Sequence, residues 1–156
     1  GIDVEKTLTA DQYGFDEVLA PYQWTRLSKN CPSILHFWKD TFPHNAYTRI
    51  RFMKLAPGGY IGVHNDGFTD DPLSGILPIN VAVTHPQNCE MVIEDCGTVP
   101  WREGKVMMLN ISRNHAVYNF STKERIHMIA NVLVKNNKKF YELLVRSYNK
   151  QYELSN

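Results

Sequence analysis

From residue 46 onward the chain is a succession of short runs rich in β-forming residues, separated by turn residues at close and regular spacing. No other feature of the sequence restricts the fold as strongly. Residues 47–55 read as a strand that stops at Pro57-Gly58-Gly59, and residues 60–64 read as its return. Residues 65–75, with two glycines, Pro72 and three aspartates, read as a loop. Further strands are expected over 76–84, 90–94, 105–110, 115–119 and 125–134. Between them lie Pro86-Gln87-Asn88, Asp95-Cys96-Gly97, Glu103-Gly104 and Ser121-Thr122-Lys123, each with turn chemistry. Many short strands joined this way predict a mainly β chain, folded as a double-sheet roll or barrel.

Both flanks differ. Ile34, Leu35, Phe37 and Trp38 cluster within 32–39 and predict a short helix that ends before Pro43. Phe140, Leu143, Leu144 and Tyr148 recur at helical spacing and predict a C-terminal amphipathic helix packed on a sheet. The lysine-rich stretch 135–139 reads as the solvated start of that helix. With 156 residues and neither repeats nor a low-complexity linker, the expectation is a single domain over 1–156, its barrel core at about 46–134. A formal net charge of only +1 gives no electrostatic reason to expect a nucleic-acid partner. Cys31, Cys89 and Cys96 are an odd set without a C-x-x-C pair, which fits a reduced compartment better than a disulfide framework or thiolate zinc site. No apolar run reaches the length of a membrane span, and no basic-then-apolar signal opens the chain, so the reading is cytoplasmic.

His64-Asn65-Asp66 carries the first chemical signal. On an extended strand, residues two apart share a face, so an imidazole and a carboxylate can meet one ion. A third ligand must come from a distant segment, and His115, opening a late strand, is the best candidate. Two imidazoles and a carboxylate form the facial triad of non-haem iron(II), which leaves positions for a co-substrate and dioxygen. Alone, H-x-D is a weak signal, since a strand histidine more often packs or faces solvent. Arg125 strengthens it: one strand and a turn after His115, a guanidinium fork could stand in the same cavity, matched to a carboxylate. Taken by itself, Arg125 reads equally as a surface ion-pair partner.

Several segments in this order and spacing resemble the aspartyl/asparaginyl β-hydroxylase family of 2-oxoglutarate oxygenases. They are Arg51-Phe-Met-Lys-Leu-Ala-Pro-Gly-Gly-Tyr-Ile-Gly-Val-His64-Asn-Asp66, Trp101-Arg-Glu-Gly-Lys-Val, Asn114-His115-Ala-Val-Tyr-Asn119 and Glu124-Arg125-Ile-His127. The resemblance spans roughly 46–134 and implies a double-stranded β-helix, a jelly-roll, cupin-like barrel. It implies that His64, Asp66 and His115 hold Fe(II), and that Arg125 anchors 2-oxoglutarate. The activity implied is hydroxylation of a substrate C–H, coupled to decarboxylation of 2-oxoglutarate to succinate. Some relatives lack the carboxylate ligand; this chain has the full triad. It departs from the family at Pro78 and Asn80, where some relatives carry an arginine and a histidine near the co-substrate, and at Met53, where relatives have a serine. Asn80 still offers an amide donor. Arg49 and Arg51 share a face with Met53 and either compensate or, the reading preferred here, face solvent.

The remaining polar and aromatic residues have plainer readings. His127 shares a face with Arg125 and is taken as a packed core histidine rather than a pocket residue, while His85 and His44, beside prolines, are taken as exposed. Trp101 reads as a plug against the barrel, Asn119 as a partner for backbone near its turn, and the acidic residues of 68–71 as a solvated loop. The expected function is therefore an Fe(II)- and 2-oxoglutarate-dependent hydroxylase. It would act with dioxygen on an amino acid, a peptidyl side chain or another small polar metabolite. The alternative is a cupin-like metal-binding module without oxygenase activity. A zinc hydrolase fits less well, because no general base is evident near His64.

Overall fold

A computed structural model of the chain describes Trp24, residues 26–66 and residues 76–153. The chain divides into two compact units, 1–42 and 43–156. In the first, a 3-10 turn at Arg26–Asn30 precedes α1 (Pro32–His36), which widens into a π turn over Phe37–Thr41. Pro32 stands at the first helical position, where its missing N–H costs nothing. Trp38 is buried here, with Phe37 edge-on at 5.1 Å and Phe42 at 4.8 Å between ring centroids.

The second unit holds the strands: β1 (Ala46–Leu55), β2 (Tyr60–His64), β3 (Ile76–Thr84), β4 (Cys89–Ile93), β5 (Gly97–Thr98), β6 (Val106–Met108), β7 (His115–Asn119) and β8 (Arg125–Leu133). They form two antiparallel four-stranded sheets, ordered β1-β8-β3-β6 and β2-β7-β4-β5. Apart from the paired β4 and β5, successive strands alternate between sheets, which makes the barrel a double-stranded β-helix. Three expected strands, 60–64, 76–84 and 115–119, have the bounds seen. The expected strand at 105–110 shortens to β6, and β5 was read as turn: Val99 N–H extends its pairing by donating to the Met91 carbonyl at 2.8 Å. So short a strand carries no alternation pattern to recognise.

The sheets meet face to face through Leu55 of β1, Met91 and Ile93 of β4 and Val117 of β7, with Leu109 and Ile111 between. Leu55 thereby marks the interior face of the first sheet. Its cross-strand partner is Arg125, so Arg125, His127 and Ile129 of β8 share that face, as do Met53 and Arg51 of β1 and Ala82 and Asn80 of β3. Asn119 ties the strands of the site together. Its side-chain amide, 1% exposed, donates to the carbonyls of Leu55, Ala56 and Lys123 at 3.0, 3.1 and 2.8 Å, and its Oδ1 accepts from the Ser121 hydroxyl at 2.6 Å. The turn that it holds is tight: Gly58 has φ +71°, and a Cβ on Gly59 would meet the Ala56 carbonyl at 2.9 Å. Asn119 thus satisfies backbone near its own turn, as its sequence position suggested, and also joins that turn to the one between β1 and β2.

The C-terminal helix, α2 (Lys138–Glu153), begins within the lysine-rich stretch. Asn137 caps it, its Oδ1 accepting from the Phe140 N–H at 3.1 Å. The expected stripe is covered only over its first half: Phe140 is 1% exposed and Leu143 and Leu144 are half-buried, but Tyr148 is 69% exposed. The three cysteines are free, and among the described residues no helix is long and apolar enough to cross a membrane. Replacing Asn119 by Leu leaves one buried and two part-buried carbonyls without their donor and should cost about 2–3 kcal/mol in chemical denaturation, and Asn119→Asp should cost at least as much.

Candidate metal centre

His64 closes β2, and its direction depends on an irregularity. Ile61 pairs with Val117, but His64 pairs with His115, so β2 advances by one residue more than β7. Ile61 packs on the core. Simple alternation would turn His64 outward; the bulge turns it inward with His115. The two rings lie 4.3 Å apart between centroids, and His64 Nε2 is 3.6 Å from Asp66 Oδ1. One ligand atom from each of His64, Asp66 and His115 falls within 4.8 Å of the others. With bonds of about 2 Å, one ion needs only small side-chain rotations to be held by all three. The structure thus brings together the three residues that the sequence analysis singled out.

Both imidazoles are preset for this. His64 Nδ1 lies 2.8 Å from the Gly62 carbonyl and His115 Nδ1 3.0 Å from the Arg113 carbonyl. A carbonyl can only accept, so each ring donates from Nδ1 and Nε2 is the nitrogen left to meet an ion. Two tethers hold the ligand segments together: Asp66 N–H donates to the Ile111 carbonyl at 3.0 Å, and the Asn65 amide to Asn114 Oδ1 at 3.3 Å. His115 is buried, while His64 and Asp66 are partly open to solvent, so the cluster sits at the mouth of the barrel.

Arg125 is 4% exposed. Its Nη2 donates to His127 Nδ1 at 3.0 Å, and its Nε is buried with no acceptor. Among the described residues no carboxylate lies within ion-pair distance of it. Burial pushes its pKa down, with Cys89 acting the other way, yet a guanidinium stays charged at neutral pH. The surface ion-pair reading of Arg125 therefore falls away. Asn80, on the same face, is also buried and has no hydrogen-bond partner among the described residues.

Three other expectations change. Arg49 and Arg51 are exposed, but their register puts them on the interior face rather than a solvent face, at the open end of the barrel. There burial and Arg49 push the Arg51 pKa down, and Asp66 pulls it up. His44 is half-buried, edge-on to Tyr47 at 5.3 Å. His85 is not a free turn residue: its Nδ1 lies 3.0 Å from His127 Nε2 and its Nε2 2.9 Å from the Cys89 carbonyl. Ala82 pairs with His127 and Thr84 with Ile126, a bulge that reverses the alternation and brings His85 inward. Pro86 marks the strand end in the sequence, but nothing there marks this change of parity. Trp101 packs on the core as expected, with its ring 4.7 Å from that of His127. Residues 68–71, read as an acidic loop, lie outside the described residues.

The sequence model of the family described as aspartyl/asparaginyl β-hydroxylase matches residues 7–134. This chain belongs to that family. Solved structures resemble it at low identity. A 2OG-Fe(II) oxygenase family oxidoreductase from Burkholderia pseudomallei is 15% identical with a TM-score of 0.51, over 68% of this chain and 59% of that one. A Cupin 2 conserved barrel protein from Salinispora arenicola is 22% identical at a TM-score of 0.40, over 53% and 60%. A double-stranded β-helix protein from Klebsiella pneumoniae is 11% identical at 0.43, over 85% and 92%. The chain thus spans about three-fifths of the first two. No curated protein matches it.

Burial, Arg125 and His85 together push the His127 pKa from 6.5 to about 3. The unfolded chain takes up that proton at the ordinary value and the folded one does not. This contribution to stability is therefore complete above pH 6.5 and lost as pH falls toward 3, with a slope approaching 1.4 kcal/mol per pH unit. Urea unfolding from pH 7 to 4.5 should show this loss, and His127→Asn should flatten it.

Proposed function

We propose that this member of the family is a non-haem Fe(II)- and 2-oxoglutarate-dependent oxygenase that hydroxylates an amino acid, a peptidyl side chain or another small polar metabolite. The observation that carries the reading is the buried Arg125 guanidinium, without a counter-ion among the described residues, in the barrel that carries the His64, Asp66 and His115 cluster. Leaving a buried cation unpaired costs several kcal/mol, so the pocket is built to be completed by an anion. A dicarboxylate with one end on Arg125 and the other at the metal satisfies both.

His64 and His115 would hold the ion through their Nε2 atoms, and Asp66 through a carboxylate oxygen that offsets part of its charge. When bound, Fe(II) supplies the redox chemistry that couples decarboxylation of the keto acid to oxidation of a C–H bond. The chain's own contribution is placement. Arg125 pairs with the far carboxylate, and the Asn80 amide adds a neutral hydrogen bond where some relatives have charge. Leu55, Ile93 and Val117 keep water from the interior side. Arg49 and Arg51 give the mouth a positive rim.

Fe(II)-loaded protein supplied with 2-oxoglutarate and dioxygen should release succinate. Stable metal binding with no succinate across candidate substrates would favour the cupin-like module instead. Asp66→Ala should remove most of the Fe(II) affinity. Arg125→Ala should weaken 2-oxoglutarate by roughly thirtyfold or more in calorimetry, the loss expected from truncating one partner of a buried charge pair, while metal affinity holds.

A further inference from the structure

His127 and His85 have no part in the metal cluster, yet both face the pocket and their protons are fully ordered. Arg125 Nη2 can only donate, so His127 Nδ1 accepts, and a neutral ring then carries its proton on Nε2. That Nε2–H faces His85 Nδ1 at 3.0 Å, which must accept. His85 therefore carries its own proton on Nε2 and donates it to the Cys89 carbonyl at 2.9 Å. Reversing any link would require a guanidinium to accept or a carbonyl to donate. The chain from cation to backbone has one direction.

The surroundings favour it. His127 is 0% exposed, with the Trp101 ring 4.7 Å away. Glu103 meets the site through its Oε1, which accepts from the His85 backbone N–H at 3.3 Å, and the Cys89 thiol is kept protonated by burial. Arginine has many rotamers, and fixing it before a ligand arrives removes an ordering cost from binding.

We infer that His127 and His85 are positioning residues, a directed imidazole pair that fixes the Arg125 guanidinium for the co-substrate carboxylate. The inference rests on the reading that Arg125 takes one end of 2-oxoglutarate. It gives His127 a role beyond the core packing expected of it. Nη2 is committed to His127, and the Nε–H, which has no acceptor, is left for the ligand.

The test is 2-oxoglutarate binding by calorimetry to the full chain loaded with Mn(II), which reports affinity without turnover. His127→Leu removes the acceptor and should weaken 2-oxoglutarate about tenfold, with the Mn(II) affinity unchanged. His127→Asn places an amide oxygen near the former Nδ1 and should restore binding to within about threefold of wild type. His85→Leu should fall between. In turnover the KM for 2-oxoglutarate should rise while kcat holds. Equal losses in the Leu and Asn variants, or none in either, would overturn the inference. Imidazole nitrogen spectra of the unaltered protein add a measurement independent of variant folding: both rings should be neutral Nε2–H tautomers at pH 7, and an Nδ1–H on either would refute the chain. If the unaltered protein binds no 2-oxoglutarate at all, the co-substrate reading itself fails, and this role with it.

Discussion

In a strand, every second residue faces the same way, and one inserted residue reverses all that follow. This site depends on two such reversals. A bulge in β2 turns His64 toward His115, and a bulge near the end of β3 turns His85 toward His127. Without the first, the two imidazoles would stand on opposite sides of a sheet; without the second, Arg125 would be backed by a single histidine. The Asn119 amide keeps the matching turns in place, linking the strand that ends at Leu55 to the turn that leads into Arg125.

Charge is distributed along the barrel to match. At the mouth, the Asp66 carboxylate lies beside two imidazoles, with Arg51 near enough for the two charges to influence each other. Deeper, Arg125 is surrounded by apolar side chains and neutral rings, and His127 stays uncharged because burial and the guanidinium both oppose its protonation. Rigidity and electrostatics act together: the hydrogen bond that orients Arg125 is also one that discourages protonation of His127.

Much of the barrel could be read along the chain because turns and β-formers are local signals. Pro57-Gly58-Gly59 announced the turn from β1 to β2, and three strands have the expected bounds. His64, Asp66 and His115 were recognisable as a set, although strand alternation alone did not explain the direction of His64. The two-residue β5 escaped because it offers no period, and the seating of α2 differed because an apolar stripe does not say how much of it will be covered. His85 was misplaced for the same kind of reason as β5: a bulge is a property of pairing between strands and leaves no fixed mark on either one.

The sequence by itself determined that the chain would be mainly β, where many of its strands turn, and which imidazoles and carboxylate were candidates to come together. Composition, turn residues and side-chain chemistry are encoded locally, so local reading suffices for them. Only the tertiary structure decided that Arg125 is buried without a carboxylate partner among the described residues, that Arg51 reaches the neighbourhood of Asp66, and that His127 contacts Arg125 and in turn His85. Those facts depend on register between strands distant in the chain, where shifting one pairing by a single residue exchanges interior for exterior.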